Sequence, residues 1–280
     1  MKPVVVAVVA LLAAGLLAAV EVVPSGSAAP SPSPASSPSP RDPAGLNGMG
    51  RLRADRIRYD LRARVMVASG NVSLALRDLE IRADRLRVEQ GPRVAVAEGT
   101  VRVRSRETHL AAPSLRYEFD TELAEAAGGV ILEQQGATIT APRVRFDLRA
   151  EVTEAGGGVE VVQGEVRLNA PAVRFEARTG EVAADGGIVV SRPGTRLTGR
   201  RLRANLSARR ADVRDDATLV RAGDPAGGSS DRAAGHPAGD ATTVTAGRIV
   251  FRWDVNEGEA EDHVVVKQRD RTVWADRMTY

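Results

Sequence analysis

The side chains that could do acid–base, nucleophilic or metal chemistry are scattered along this chain of 280 residues. Its histidines, His109, His236 and His263, do not have the spacing of metal ligands on one element, and the chain has no cysteine. No serine has a nucleophile-elbow context, and the glycine runs have no following helix that could bind a phosphate. We therefore predict that the protein is not an enzyme and that it uses no metal and no cofactor.

The charged residues are numerous but balanced. They make up 27% of the chain, and arginines interspersed with acids leave a net charge of +3. A chain that binds nucleic acid concentrates its basic residues in a patch or a tail, so we expect no nucleic acid partner. The carboxylates recur at outward positions of a repeat, which is more typical of a solvated surface than of a catalytic pair.

A repeat organises these residues. A small residue precedes a turn-prone corner, and consecutive copies are 29 residues apart as far as Gly199. The next copy begins 47 residues later and therefore carries an insertion of 18 residues. With the small residue counted as position 0, the copies are centred on Ala54, Ala83, Ala112, Ala141, Ala170, Gly199, Ala246 and Ala275. A fixed period over this many copies indicates a repeat architecture.

The hydrophobic pattern within each copy predicts bent β-strands. Positions −2, +3, +5, +18 and +20 are apolar in nearly every copy, and a spacing of two places residues on one face of a strand. The step from position 0 to position +3 is odd, so the apolar side chains would move to the opposite face of a straight strand. The strand must therefore bend at the corner, where Pro113, Pro142 and Pro171 lie. Glycine at +16, as in Gly99 and Gly157, predicts a second bend. Polar turns at +8 to +10 reverse the chain, which predicts about sixteen antiparallel strands in two facing sheets.

The apolar residues between these sheets could form a filled core or an apolar groove. A filled core is the ordinary outcome for facing sheets, whereas a groove suits a chain with few aromatic residues and no catalytic residues. The candidate groove-lining residues are Ile57, Tyr59, Leu86, Leu115, Tyr117, Val144, Phe146, Val173, Phe175, Leu202 and Phe251. On the opposite face, arginine at position +4 and an acid at position +6 predict an exposed ladder of ion pairs.

The N-terminal segment indicates export. Residues 1–29 contain an apolar run, 4–20, followed by small residues, which predicts either a cleaved export signal or a retained membrane anchor. Residues 30–45 form a linker rich in Pro and Ser, and residues 46–280 form the repeat domain. The insertion, residues 222–243, is rich in Gly, Ala, Asp, Ser and Pro and is expected to be a flexible loop.

The repeat motif resembles that of a known family. The motif is a small residue, Asp or Pro, any residue, an apolar residue, Arg, an aromatic residue and an acid, followed by glycine and an alternating apolar pair. Residues 54–60 with 70–72, and residues 141–147 with 157–159, show it most clearly. It is similar to the OstA-like repeat of the periplasmic lipopolysaccharide-transport proteins LptA and LptC and of the N-terminal domain of LptD.

This resemblance implies an open β-jellyroll with an apolar interior that shields acyl chains. It implies a non-enzymatic periplasmic carrier or bridge for lipopolysaccharide or another envelope lipid. It also implies that edge strands, near Leu52 and near Tyr280, pair with other OstA-like proteins, and the N-terminal segment adds a possible association with the inner membrane. The alternative is a different class of function, namely a structural β-solenoid scaffold of the cell envelope with a dry core.

Overall fold

The computed structural model describes residues 21–22, 51–76, 79–105, 108–134, 136–222, 241–252, 257–269 and 271–279. All regular structure in these ranges is β-strand, and nearly all of it is antiparallel, so the predicted all-β jellyroll class with about sixteen antiparallel strands is confirmed. Among the described residues, no helix could cross a membrane. Apart from Glu21 and Val22, the predicted export signal and linker lie outside the described residues, as do His236, Tyr280 and most of the insertion.

Chain contacts divide the protein into two compact units, and the first unit comprises residues 1–134 with 146–149. From β2 to β8 it is an antiparallel meander, in which β2 and β3 both pair with β4. The short β1 pairs with β2 in parallel. Its strands are β1 Glu21–Val22, β2 Arg51–Arg53, β3 Arg56–Asp60, β4 Val65–Leu76, β5 Leu79–Glu89, β6 Val94–Arg104, β7 Thr108–Glu118 and β8 Leu123–Gln134.

The second unit comprises residues 135–145 and 150–280. Its strands from β10 to β17 form a consecutive antiparallel meander. The strands are β9 Ala137–Asp147, of which the last two residues belong to the first unit, β10 Val152–Gln163, β11 Val166–Glu176, β12 Glu181–Arg192, β13 Thr195–Asn205, β14 Arg210–Arg221, β15 Thr242–Arg252, β16 Glu257–Gln268 and β17 Arg271–Thr279.

A single crease crosses the strands of each unit. Between β10 and β11, Gly156 pairs with Ala172 and Val159 pairs with Ala170, so two residues of β10 face the single residue Pro171. Each consecutive pair from β4 to β8 and from β10 to β17 has such a register shift at the same repeat positions. The corner and the glycine, predicted as two separate bends, therefore lie side by side and form one crease.

Five copies have glycine at position +16 of the crease, where a corner side chain occupies the space beside the backbone, while Asp215 and Asp262 hold this position with positive φ in the other two. Gly99 has φ +95°, and a Cβ there would lie 2.1 Å from Oδ2 of Asp84. That carboxylate accepts a hydrogen bond of 2.9 Å from the backbone N–H of Thr100. Where proline replaces aspartate the ring fills the same space, since a Cβ on Gly157 would lie 3.1 Å from Cγ of Pro142. In these copies the residue pair at +1 and +16 thus marks where the strands bend.

The turns that join the strands repeat as regularly as the crease. The described turns at positions +8 to +10 each end on a residue with positive φ at position +10, and consecutive turns of this set are joined by hydrogen bonds such as Phe119 N to Arg93 O, 3.0 Å, and Ala177 N to Glu151 O, 2.9 Å. The residues in this conformation are Arg64, Arg93, Glu122, Glu151, Gly180 and Arg209. Most of them are not glycine, so the turns hold a backbone conformation that costs their side chains some strain.

The crease divides each long strand into two arms. We define the first arm by positions −4 to 0 and +18 to +22, and the second arm by positions +3 to +14. In the second unit both arms supply one buried cluster: Ala170, Ile188, Ala217, Val244, Ala246 and Val264 from the first arm, and Ala184, Leu202, Val213, Ile249 and Ala260 from the second. These residues are 7% exposed or less because the inner face of one arm covers the inner face of the other. The phase change predicted such facing apolar surfaces, but as two sheets rather than as two arms of one sheet.

Candidate functional site

The inner face of each unit consists of rows of apolar side chains that run across the strands. Most residues of the rows next to the crease are buried in both units. Farther from the crease is one further apolar row on each arm, which we call the lip rows. The lip row of the first arm has positions −2 and +20, and its members pair directly across strands, as in Val190 with Leu197 and Leu197 with Leu219. The lip row of the second arm has positions +5 and +12.

The residues predicted to line a groove lie on the inner face at different depths. Leu86, Leu115, Tyr117, Val144, Phe146 and Leu202 are buried. Ile57, Val173, Phe175 and Phe251 are partly buried. Tyr59 is 43% exposed, and its hydroxyl donates a hydrogen bond of 3.1 Å to Oε1 of Gln90. The structure therefore brings most of these residues to one inner face of their unit, while Tyr59 lies at its margin.

In the second unit the lip rows are half-exposed, in that most of their members are only partly buried, although Val244 is 5% exposed. On the first arm the partly buried members are Leu168, Val190, Leu197, Leu219 and Val266. On the second arm they are Phe175, Val182, Ala204, Ala211 and Phe251. Both lip rows lie on the inner face, two residues farther along the strand than the buried rows. The second unit thus presents two bands of apolar surface that remain in contact with water, one on each arm.

In the first unit the same rows are closed, except at Tyr59, which is exposed, and Met66, which is partly buried. Leu74, Val103 and Leu132 of the first arm are each 3% exposed or less. On the second arm Tyr117 is 1% exposed and Phe146 is 2% exposed. The first unit therefore has a filled core where the second has half-exposed apolar bands, although the residue types at these positions are similar.

Two buried side chains of the first unit, Thr108 and Tyr117, have hydroxyls with no hydrogen-bond partner among the described residues, and that of Tyr117 lies within the closed core. Burial, with a contribution from Glu122, raises the pKa of the Tyr117 phenol to about 12. The ring meets Phe119 edge to face at a centroid distance of 5.0 Å. Other copies have phenylalanine at this position, so the fold does not require the hydroxyl. The sequence marked Tyr117 only as an apolar lining residue.

The outer face carries the predicted ladder of ion pairs. Arg87 and Glu89 are 2.6 Å apart, and Arg116 and Glu118 are 3.0 Å apart. In another copy Arg174 pairs instead with Glu154 on the neighbouring strand at 2.7 Å. These side chains are well exposed, so each pair contributes only about 0.2–1 kcal/mol. The ladder keeps the outer face solvated, as the sequence indicated.

A more buried charge network lies on the second arm of the second unit. Asp212 accepts hydrogen bonds from Arg214 at 2.9 Å and Arg248 at 2.6 Å, and Arg248 also reaches Glu261 at 2.9 Å. Burial alone would raise the pKa of Asp212, but the hydrogen bonds from both arginines outweigh it and lower this pKa to about 2. The sequence did not reveal this network, because Asp212 and Arg248 are separated by the insertion.

A depression of about 760 Å³ lies mostly on outward positions of this arm, where Arg210 and Val250 are among its lining residues. Two more of its lining residues, Arg252 and Arg277, form ion pairs with glutamates of the same wall. Its charges are thus largely neutralised within the wall, and we assign it to the solvated outer face.

The described residues contain no group of three or more His, Cys, Asp or Glu side chains placed to hold a metal ion. His109 lies 3.7 Å from a carboxylate oxygen of Glu133, and both side chains are more than half exposed. His263 belongs to the crease and has φ +58°. The two histidines lie apart in the repeat, and neither is placed beside the inner-face rows that distinguish the two units.

A family model described as "LptA/(LptD N-terminal domain) LPS transport protein" matches residues 51–152. The resemblance predicted from the repeat motif is confirmed for this range. The remaining copies of the second unit continue the same 29-residue period beyond the matched LptD N-terminal-type segment.

A solved structure is also similar to the chain: LptH from Pseudomonas aeruginosa, the LptA-homologous periplasmic component of its lipopolysaccharide transport device. Its sequence is 16% identical, the match covers 38% of this chain and 81% of LptH, and the TM-score is 0.36. No curated protein matches the sequence.

Proposed function

We propose that the protein is a periplasmic carrier that shields the acyl chains of lipopolysaccharide, or of another envelope lipid, without catalysing a reaction. The observation that carries this proposal is the pair of half-exposed lip rows of the second unit. Acyl chains that lie on the inner face between the arms would cover both rows. The match of residues 51–152 to a transport family supports the same class of function.

The driving force for such binding is the removal of apolar surface from water. Each Å² that an acyl chain covers contributes about 25 cal/mol, before the costs of association are subtracted. A row of several residues is needed to outweigh those costs, and the lip rows supply one on each arm. A flexible chain needs no exact fit to such a surface, which suits a carrier that must also release its lipid.

Assembly with other proteins of the family would use the edge of the second unit. On β17, Val273 is 58% exposed and Trp274 is 73% exposed, on opposite faces of the strand. An edge strand with exposed apolar residues is suited to pairing with a strand of another OstA-like protein. Residues 4–20 would direct export and then be cleaved or remain as an inner-membrane anchor. The N-terminal sequence of the mature protein distinguishes these two cases.

A binding assay with a fluorescent acyl-chain probe tests the carrier function. A charge on a lip row, as in Leu197→Asp, should abolish probe binding, because a carboxylate beside the chain must be desolvated. The matched control is Thr198→Asp, which places the same charge one residue along on the outer face and should leave binding unchanged. Equal binding by both variants would contradict the proposal.

The second candidate function is a structural scaffold with a dry core, and the closed core of the first unit favours it. This function predicts that no variant of the lip rows affects binding of an acyl chain or the composition of the envelope. A bulky substitution in a closed row would then change only stability.

A further inference from the structure

The two arms of the second unit differ in charge from β12 to β17. The described ion pairs of these strands all lie on the second arm or at the crease, for example Arg203 with Asp185 and Arg248 with Glu261. The described residues of the first arm contain no aspartate or glutamate between Ile188 and Ala275. Its basic residues there are Arg192, Arg196, Arg221, Lys267, Arg269 and Arg271.

Half of these basic residues point to the inner face. Positions −4 and +22 have the same parity as the lip row, so they lie on the inner side, one step farther from the crease. Direct cross-strand pairs connect them as one rim row: Arg192, Thr195, Arg221, Thr242, Gln268 and Arg271. The arginines of this row are exposed, and no described ion pair occupies them. The inner face therefore changes from apolar to cationic at its margin.

The equivalent row of the first unit has no charge. Its positions +22 and −4 hold Leu76, Leu79, Ser105, Thr108 and Gln134. The rim arginines thus occur only in the unit whose lip rows are half-exposed. A solvated outer face does not explain them, because the ladder arginines on the outer face pair with acids, whereas the described residues of this arm between Ile188 and Ala275 supply no acid to the rim arginines.

We infer that the rim arginines Arg192, Arg221 and Arg271 bind the phosphate of a lipid head group whose acyl chains lie on the adjacent lip row. This inference rests on the proposed carrier function and adds the class of head group that the carrier selects. Guanidinium groups form paired, charge-assisted hydrogen bonds with phosphate oxygens. An amphiphile with an anionic head and apolar chains matches the order of the rows from the margin to the crease.

The spacing of the rim arginines suits a large or doubly charged head group. Neighbouring strands lie about 4.8 Å apart, so Arg192 and Arg221, two strands apart, are separated by about 10 Å at the backbone. Long side chains can converge on one phosphate from that distance or hold two phosphates separately. Because the arginines are exposed, their attraction for the head group should weaken as salt is added.

Two soluble lipids with identical chains test this inference: dioctanoyl phosphatidic acid, which has a phosphate head, and dioctanoylglycerol, which has none. The full chain should bind phosphatidic acid about tenfold more tightly, equivalent to about 1.4 kcal/mol. The double variant Arg192→Gln/Arg221→Gln should lose that preference and keep its affinity for dioctanoylglycerol. The matched control, Arg196→Gln/Lys267→Gln, removes equal charge from outward positions of the same arm and should keep the preference.

The outcomes separate the two levels of inference. If neither lipid binds the full chain, the carrier function itself is overturned. If both lipids bind with equal affinity, or both double variants lose the preference equally, only the role of the rim arginines is overturned. Inorganic phosphate in millimolar amounts should not displace the lipid. Full displacement would mean that the row binds free phosphate rather than a lipid head group.

Discussion

The two units place similar residues at the same repeat positions and yet differ in how far their inner faces are closed. Position +20 holds Leu132 in the first unit and Leu219 in the second, but Leu132 is 2% exposed and Leu219 is only partly buried. The comparison teaches that the repeat determines which side chains point inward. It does not determine whether the arms close over them, and that second property decides whether an inner face is a core or a binding surface.

Replacing each of these two matched leucines by alanine should give the largest difference in stability between the units. Leu132→Ala removes a fully enclosed side chain and should lower the free energy of unfolding by about 2–5 kcal/mol. Leu219→Ala removes a side chain that is already in contact with water and should cost about 1 kcal/mol or less, since less apolar area returns to water. Urea denaturation of both variants measures the difference, and equal losses would contradict the contrast between the units.

Glycine substitutions at the crease test a feature that the units share. Gly99→Ala should destabilise the protein by about 1–3 kcal/mol, because the backbone has positive φ and the new Cβ meets Asp84. In the second unit Gly187 has φ +102°, and an added Cβ would meet nothing within 4 Å. Gly187→Ala should therefore introduce backbone strain alone and lose less stability. Thermal unfolding of the two variants compares the effects. A larger loss for Gly187→Ala would argue against packing of the corner side chain.

The Asp212 network should give the second unit a pH dependence of its own. The pKa of Asp212 falls from its ordinary value of 3.8 to about 2 in the folded protein. Its stabilisation is therefore fully present above about pH 5 and is lost as the pH falls through 2. Asp212→Asn should lower stability at pH 7 by about 1–3 kcal/mol, with little difference from the parent at pH 1.5. Denaturation curves at both pH values test this, and a loss that does not change with pH would contradict it.

Removing the hydroxyl of Tyr117 should have the smallest effect on stability among these changes. Tyr117→Phe removes a buried group without a described partner, so stability should stay the same or rise by about 1 kcal/mol. The control, Tyr59→Phe, removes a hydroxyl that donates to Gln90 at the surface and should be nearly neutral or slightly destabilising. A clear loss of stability for Tyr117→Phe, measured by urea denaturation, would mean that the hydroxyl has a bonding partner in solution.

The sequence predicts the fold well because its signals are local and repeated. Alternation at Val144 and Phe146 marks the inner face, and Pro142 marks the corner. Other features depend on register between strands, which the sequence does not display. Gly157 and Pro142 belong to one crease only because β9 and β10 place them side by side. The rim row becomes visible only when cross-strand pairs align Arg192 and Arg221.

Exposure of the inner face could not be predicted for a different physical reason. Leu219 and Phe175 are hydrophobic, which favours burial. How deeply they are buried depends on how closely the two arms pack against each other. Likewise, the turn residues with positive φ are mostly arginine and glutamate, so no glycine signal marks them. The chemistry proposed for the second unit thus follows from packing, while its architecture follows from the repeat.

Site-specific photocrosslinking in cells tests the central claim, that lipid lies on the lip rows of the second unit. A photoreactive phenylalanine at position 219 or 175 should crosslink to lipid. The neighbouring outward positions, 218 and 174, should not, and neither should position 132 in the closed row of the first unit. Lipid captured at 218 and 174 but not at 219 and 175 would contradict the account, because the outer face would then be the binding surface.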